Sequence, residues 1–284
     1  VDMRIERAGL RIKPGVDFEL VNPESDPRFK EYWQTFHAIT ERRGVSPDSA
    51  KAIVRTRTSV IAAIMVYREE ADAMICGVVG RYEKKLKYIT EVFGTAASSQ
   101  TLGALSAVTS ELGTLFVCDT HVNPDPTAEQ LAELTILAAQ RVRMFGIEPK
   151  VALVSHSNFG SHVNPSASKM RQVFNLVREM APELEVEGEM RADAALLPEI
   201  RERIFPNSRL KGAANLFIMP DQDAAHIAFS MARVVGKGVT IGPMLMGIGR
   251  PAHVLTPSAT VRRVVNMTAI AVVDAQQAER RASE

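Results

Sequence analysis

Three polar loops carry most of the chemistry this sequence can support. They are Ser155-His156-Ser157-Asn158-Phe159-Gly160-Ser161, Pro220-Asp221-Gln222-Asp223 and Gly242-Pro243-Met244-Leu245-Met246-Gly247, each following a short apolar run that reads as a strand. Hydroxyls, amides and small residues permit close backbone approach to an extended polar ligand, and in open α/β sheets ligands sit at the carboxyl edge of the strands. The same composition also suits tight strand-to-helix turns, and composition alone does not separate the two. His156 beside Ser157 has the residue types of a base and a nucleophile. Neighbouring side chains on extended backbone point apart, and no GxSxG elbow surrounds the serine, so a loop role is expected instead. Phosphate-cradling GxxxxGK[ST], HExxH and CxxC patterns are absent. Gly247-Ile248-Gly249 is too short for a dinucleotide fingerprint and runs into Arg250-Pro251. The six histidines show no metal-ligand spacing, so no metal site is expected. Arg262 and Arg263 stand in the first turn of the last helix, where each cation opposes the helix dipole at a cost of roughly 0.3–1 kcal/mol. Either solvent screens them or they face an anion.

The elements that must position these residues alternate in type. Pro47 to Tyr67 reads as helical, with a break near Thr56, Ser46 as N-cap and Pro47 at the first helical position. Strands are expected at 72–79 and 115–119. A helix over 127–145 follows, with Leu131, Leu134, Ala138 and Val142 on one face and Thr127 and Gln130 spaced as a capping box. Then come strand 151–155, helix 167–180, strand 184–187, helix 192–205, strand 215–219, helix 224–235, strand 239–241 and a last helix over 260–279. Such alternation predicts crossover units, a largely parallel sheet and an α/β fold. The first fifty residues read as less regular. Residues 96–113, rich in serine, threonine and glycine, read as a domain crossing.

Bulk properties exclude several classes. A formal charge of +1 over 284 residues argues against a nucleic-acid binder. No 18-residue apolar run exists, so no membrane span is expected. Cys76 and Cys118 lie in short apolar runs and read as reduced, buried strand residues, which points to a cytoplasmic protein. The chain opens at Val1 rather than Met, which suggests a piece of a longer polypeptide.

Read in order, the loops resemble the phosphate acetyltransferase (phosphotransacetylase) family within the phosphate acetyl/butyryl transferases. The residues that carry the resemblance are 152–161, Val186-Glu187-Gly188-Glu189-Met190-Arg191-Ala192-Asp193, Lys211-Gly212-Ala213-Ala214-Asn215 through Asp221, and Ile241-Gly242-Pro243 through Gly247. Three spellings, Glu41-Arg42-Arg43-Gly44-Val45, Asp72-Ala73-Met74-Ile75-Cys76-Gly77 and Ser157-Asn158-Phe159-Gly160-Ser161, look like the version fused behind the catalytic part of large bacterial NADP-dependent malic enzymes. The resemblance implies two α/β subdomains with mostly parallel sheets and an interdomain cleft, like the isocitrate and isopropylmalate dehydrogenases. Carried over, subdomain I takes residues 1–100 plus 247–284, with its first strand and helix lacking upstream of Val1, and subdomain II takes 101–246.

One departure decides the implied chemistry. Active members carry a Ser-Arg-Gly-Cys-Ser segment, followed by an aspartate that serves as base on the CoA thiol. The matching positions here are Thr256, Pro257, Ser258, Ala259 and Thr260, and the aspartate position falls on Arg263. An arginine keeps its proton and cannot be that base, and Pro257 removes a guanidinium that could clamp phosphate. No catalytic residue is therefore expected. The resemblance implies a non-catalytic regulatory and oligomerisation domain that binds acetyl-CoA or CoA, in an oxaloacetate-decarboxylating malic enzyme. Its alternative is an active phosphate acetyltransferase. Implied ligand contacts are Arg42, Lys87 (where the family has an arginine), Ser157, Asn158, Asn215, Pro220, Asp221, Gly242, Pro243, Thr256, Arg262 and Arg263. The implied partners are a second or further copies of the chain and a malic-enzyme catalytic domain in cis, with NADP and a divalent metal held by that domain. This domain itself is expected to hold no cofactor.

Overall fold

A computed structural model describes residues 1–111 and 113–283. The chain divides into two compact units, Val1–Glu70 and Ala71–Glu284.

The first unit is helical, with α1 Asp2–Arg7, α2 Phe29–Thr40, a short 3-10 turn Glu41–Arg43, α3 Pro47–Thr56 and α4 Thr58–Tyr67. Tyr32, Phe36, Ala50, Val54, Val60 and Ile64 form its interior. Ser46 caps α3 by accepting the Ser49 N–H at 3.2 Å, with Pro47 next to it where no N–H is needed. The break expected near Thr56 falls at Arg57, whose non-helical backbone separates α3 from α4. Helix α2 corrects the reading of this region as irregular: its buried Tyr32, Phe36 and Thr40 recur every four residues, one stripe of an amphipathic helix.

The second unit carries the sheets. Its elements are β1 Met74–Gly77, α5 Tyr82–Phe93, β2 Gly103–Ser110, β3 Gly113–Cys118, α6 Ala128–Arg143, β4 Val151–Val154, α7 Pro165–Met180 and β5 Val186–Met190. They continue with α8 Ala192–Leu196, α9 Pro198–Ile204, β6 Leu216–Ile218, α10 Gln222–Val235, β7 Val239–Met246, β8 Ala252–Leu255 and α11 Val261–Ser283. Six strands form one sheet in the order β5-β4-β6-β3-β2-β7. The first four run parallel, and β2 is antiparallel to both of its neighbours. A separate parallel pair joins β1 to β8, with Met74 opposite Ala252 and Gly77 opposite Leu255. Every strand of the larger sheet lies between residues 103 and 246, and the pair lies outside that range.

Alternation along the strands builds two cores. Phe116, Cys118, Leu153, Leu216 and Ile218 pack with Leu131 and Leu134 of α6 and Met170 and Val173 of α7. Val117, Ala152, Val154 and Phe217 pack on the other side with Ala194, Ala225 and Phe229. Helices thus cover both faces, which is why these strands read as continuous apolar runs rather than alternating ones.

The structure departs from the sequence reading at five further places. Residues 96–113 hold β2, a central strand whose buried residues are mostly small. Helix α5 and strand β8 were not anticipated. Pro198 splits the helix expected over 192–205, because its ring cannot continue the ladder. Gly242 and Pro243 lie inside β7 rather than in a loop after it. Gly242 sits there at φ +107°, beside the register shift between Leu105 and Ala107, where an added Cβ would come within 2.8 Å of the Leu105 carbonyl oxygen.

Candidate functional site

The carboxyl ends of β3, β4, β5 and β6 share one edge of the sheet, and their loops differ in how they are held. In the loop after β4, Ser157 is buried and its hydroxyl donates to Glu189 at 2.6 Å. Glu189 also accepts from Gly160 N at 2.9 Å and Arg171 at 2.8 Å. Asn158 accepts the Arg191 N–H at 2.8 Å, tying the loop to the end of β5. His156 reaches Asn164 at 2.9 Å and makes no hydrogen bond to Ser157, so the pair is not a base and nucleophile. Pro220 leads into Asp221, which caps α10 by accepting the Ala224 N–H at 2.8 Å.

Beside these loops stands a second group that the sequence reading entered only through α11. Thr260 accepts the Arg263 N–H at 3.2 Å, which fixes the first turn of α11 and turns the Arg263 side chain inward. Arg263 is only 6% exposed. Its guanidinium donates to the hydroxyls of Thr240 at 2.6 Å, Ser258 at 3.4 Å and Thr256 at 3.5 Å, the last two long for hydrogen bonds. Nε has no partner. Among the described residues no carboxylate pairs with it. Burial, and then the charge of another cation, Arg233, lower its hold on its proton.

The rest of the group is assembled from three other elements. His121 follows β3, with Nδ1 2.9 Å from the Thr120 hydroxyl. Its ring lies between those of Tyr82, at the start of α5, and His226, on α10, at centroid distances of 5.1 and 5.6 Å. His226 and Arg233 are two helical turns apart and therefore share a face of α10. Burial, with His226 and Arg263 nearby, pushes the His121 pKa down to about 4. Burial raises the Tyr82 phenol above its usual range, and its hydroxyl has no partner. Asp119, next to this group, is consumed as a local scaffold. It accepts the N–H groups of Ala104, His121, Val122 and Asn123 at 2.8–3.2 Å, although burial raises its pKa.

Of the residues singled out from sequence, Thr256 and Arg263 meet in this group. Ser157, Asn158, Pro220 and Asp221 lie on loops of the same sheet edge. Arg262 is exposed at the start of α11, and Lys87 is exposed on α5, 3.8 Å from Glu91. Arg42 is exposed in the helical unit. Asn215 precedes β6, at the opposite edge of the sheet, where its amide bridges Lys150 N and the Glu148 carbonyl at 2.8 Å each. Tyr82, His121, His226, Arg233 and Thr240 were missed. His121 was within reach, since it leaves a predicted strand at the same edge as the loops that were chosen. Among the described residues, no group of three or more His, Cys, Asp or Glu side chains could hold a metal ion, and no helix is long and apolar enough to cross a membrane.

What this geometry can do is bind an anion. A buried guanidinium that touches only hydroxyls is an incomplete ion pair, and a phosphate or carboxylate would complete it. It offers poor means of removing a proton. Arg263 stays charged, Tyr82 holds its proton, and a His121 of pKa about 4 is several units too weak to take one from a thiol.

Residues 1–272 match the phosphate acetyl/butaryl transferase family. The chain is 55% identical over 277 residues to an NADP-dependent malic enzyme of Escherichia coli, covering 97% of the chain but only 36% of that protein. It is 31% identical to a phosphate acetyltransferase of Corynebacterium glutamicum, covering 90% of the chain and 78% of the relative. A crystal structure of a phosphotransacetylase from Streptococcus pyogenes shares the fold, with a TM-score of 0.84 at 24% identity, covering 97% of the chain and 82% of the other. The chain thus spans about a third of the length of the malic enzymes it matches.

Proposed function

The chain belongs to the phosphate acetyl/butaryl transferase family, and from that premise we propose that it binds acetyl-CoA without transferring the acetyl group. In this reading it is the regulatory and oligomerising part of an NADP-dependent malic enzyme. That enzyme would convert malate to pyruvate, carbon dioxide and NADPH, using NADP and a divalent metal held outside this chain.

One observation carries the proposal. Where the resembled transferases place the aspartate that deprotonates the CoA thiol, this chain places Arg263, buried and unpaired among hydroxyls. General acid–base assistance contributes about 10²–10⁴-fold to such reactions, so a site without a base turns over too slowly to be useful. The same guanidinium favours binding of an anionic ligand such as a CoA phosphate. Occupancy by acetyl-CoA would then couple to the malic-enzyme site through differential binding to two states of the assembly.

Self-association has its own support. Ile227, Met231 and Val234 are exposed on one face of α10, as are Val261, Val265 and Val272 along α11. Contiguous exposed apolar stripes of this kind mark association surfaces.

Two measurements test the proposal. Purified protein mixed with CoA and acetyl phosphate is expected to form no thioester above background, and robust turnover would assign it as an acetyltransferase instead. Calorimetric titration with acetyl-CoA is expected to show binding that weakens by about tenfold or more in Arg263→Asp, the scale of one lost charge-assisted contact. Affinity unmoved by that substitution would take the ligand away from Arg263.

A further inference from the structure

Four groups that carry or can accept a positive charge stand around the Arg263 site, and two of them are histidines. His121 leaves β3 with its ring between those of Tyr82 on α5 and His226 on α10. Arg263 of α11 lies near enough to act on its charge, and Arg233 of α10 acts on Arg263 in turn. From the three helices His121 thus faces a phenol, a second imidazole and a guanidinium. The acidic groups close by are engaged elsewhere. Asp119, on the same loop, is held by the N–H groups of Ala104, His121, Val122 and Asn123 and by the Asn123 amide. Cys76 of β1 and Glu83 of α5 act on Tyr82.

One nitrogen of His121 is committed and the other is open. Thr120 Oγ1 donates to the Ala104 carbonyl at 3.3 Å and lies 2.9 Å from His121 Nδ1, so Nδ1 carries the hydrogen and Nε2 the lone pair. Among the described residues, Nδ1 is the ring nitrogen that takes part in a hydrogen bond. A second proton on Nε2 meets Arg263 and His226 with no anion to offset them. Burial adds to that cost, and the ring stays neutral down to about pH 4. An anion bound at Arg263 reverses the balance. It cancels the guanidinium and adds an opposite charge, and a charge at such range moves a pKa by about 1–3.

We propose that binding at Arg263 is proton-linked: the anionic group that occupies the site brings a proton from the buffer onto His121 Nε2, and acid therefore tightens the binding of acetyl-CoA. The linkage rests on the reading above that acetyl-CoA sets an anionic group at Arg263. Because coupling is reciprocal, proton and ligand each raise the affinity for the other. The domain then reads its ligand jointly with pH.

The test titrates parent and His121→Gln with acetyl-CoA by calorimetry at pH 7.5 and pH 5.5, in paired buffers of different ionisation heat so that proton uptake is counted. A phosphate of the ligand itself titrates near pH 6, in both proteins alike, so the difference between them is the reading. For a rise of about 2, midway in the range above, the parent should gain about fourfold in affinity over the variant on going to pH 5.5, and take up about 0.7 proton more. Parallel affinity profiles with equal proton counts overturn the linkage and leave the acetyl-CoA reading standing. Binding at neither pH sinks both. Imidazole nitrogen shifts of the parent give a reading that needs no variant. Nε2 of His121 is expected to be protonated at pH 5.5 in the acetyl-CoA complex and unprotonated in the free protein, and the same state in both overturns the linkage.

Discussion

Two buried arginines in this chain differ in how the fold satisfies them, one saturated as a scaffold charge and the other left open for the ligand proposed above. Arg201, on α9, has no exposed surface, and its terminal nitrogens donate to the carbonyls of Ala194, Leu210 and Gly212 at 2.6–3.1 Å. It closes the turns around α8 and α9. Arg263 is almost as buried, but its terminal nitrogens find one close hydroxyl and two distant ones, beside a second cation. In both, Nε lacks a partner, so the contrast lies in the terminal nitrogens. A scaffold charge is saturated by the fold. A ligand charge is buried at a cost the fold leaves unmet.

Substitution should separate the two. Arg201→Met leaves two buried carbonyls and a partly exposed one without donors and is expected to cost about 4 kcal/mol in urea unfolding. An undiminished midpoint would show that Arg201 is not a structural keystone.

The Arg263 region should also resist further positive charge. His121 binds its proton near pH 4 in the folded chain, against an ordinary 6.5. Between those values the unfolded chain holds more protons, so stability falls as pH drops through the window. The contribution is about 3 kcal/mol at its full extent. His121→Gln should remove that part of the acid dependence, as read by urea midpoints from pH 7 down to pH 4. Parallel profiles for parent and variant would mean that His121 is not held neutral.

Arg263→Met inverts the outcome expected of Arg201→Met. Replacing an unpaired buried cation by an apolar side chain of similar length should raise the stability of the ligand-free protein by about 2 kcal/mol. The same variant is expected to bind acetyl-CoA about tenfold more weakly. A destabilised variant would place Arg263 with Arg201, among the scaffold charges.

Thr127→Ala gives a yardstick outside both regions. It breaks a capping box in which Thr127 accepts the Gln130 N–H at 3.2 Å and Gln130 accepts the Thr127 N–H at 2.9 Å. The expected loss is about 1 kcal/mol, with no change in ligand affinity.

Much of the frame was legible because its signals are local. Thr127 with Gln130 marked the start of α6, Ser46-Pro47 marked α3, and the apolar runs at 115–118 and 151–154 marked strands. What escaped were elements whose identity depends on neighbours. Strand β2 reads as loop because Gly103, Ala104, Ser106 and Ala107 are small or polar. Only a place between β3 and β7, with Ser106 bonded to Thr120 at 2.8 Å, makes it a strand. Asn215 looked like a ligand residue by its motif, but the direction of β6 carries it to the opposite edge of the sheet.

The site divides in the same way. Sequence alone determined the α/β class, the family motifs and an arginine at position 263, where the resemblance implies a carboxylate, since residue type and short-range spacing are written directly in the chain. It could not say whether Arg263 was screened by solvent or facing inward. Folding decided that, by bringing β7, the end of β8, α5, α10 and the loop after β3 around one guanidinium. Whether a charge is paired depends on what packs against it, and those groups are up to 181 positions away in sequence, from Tyr82 to Arg263.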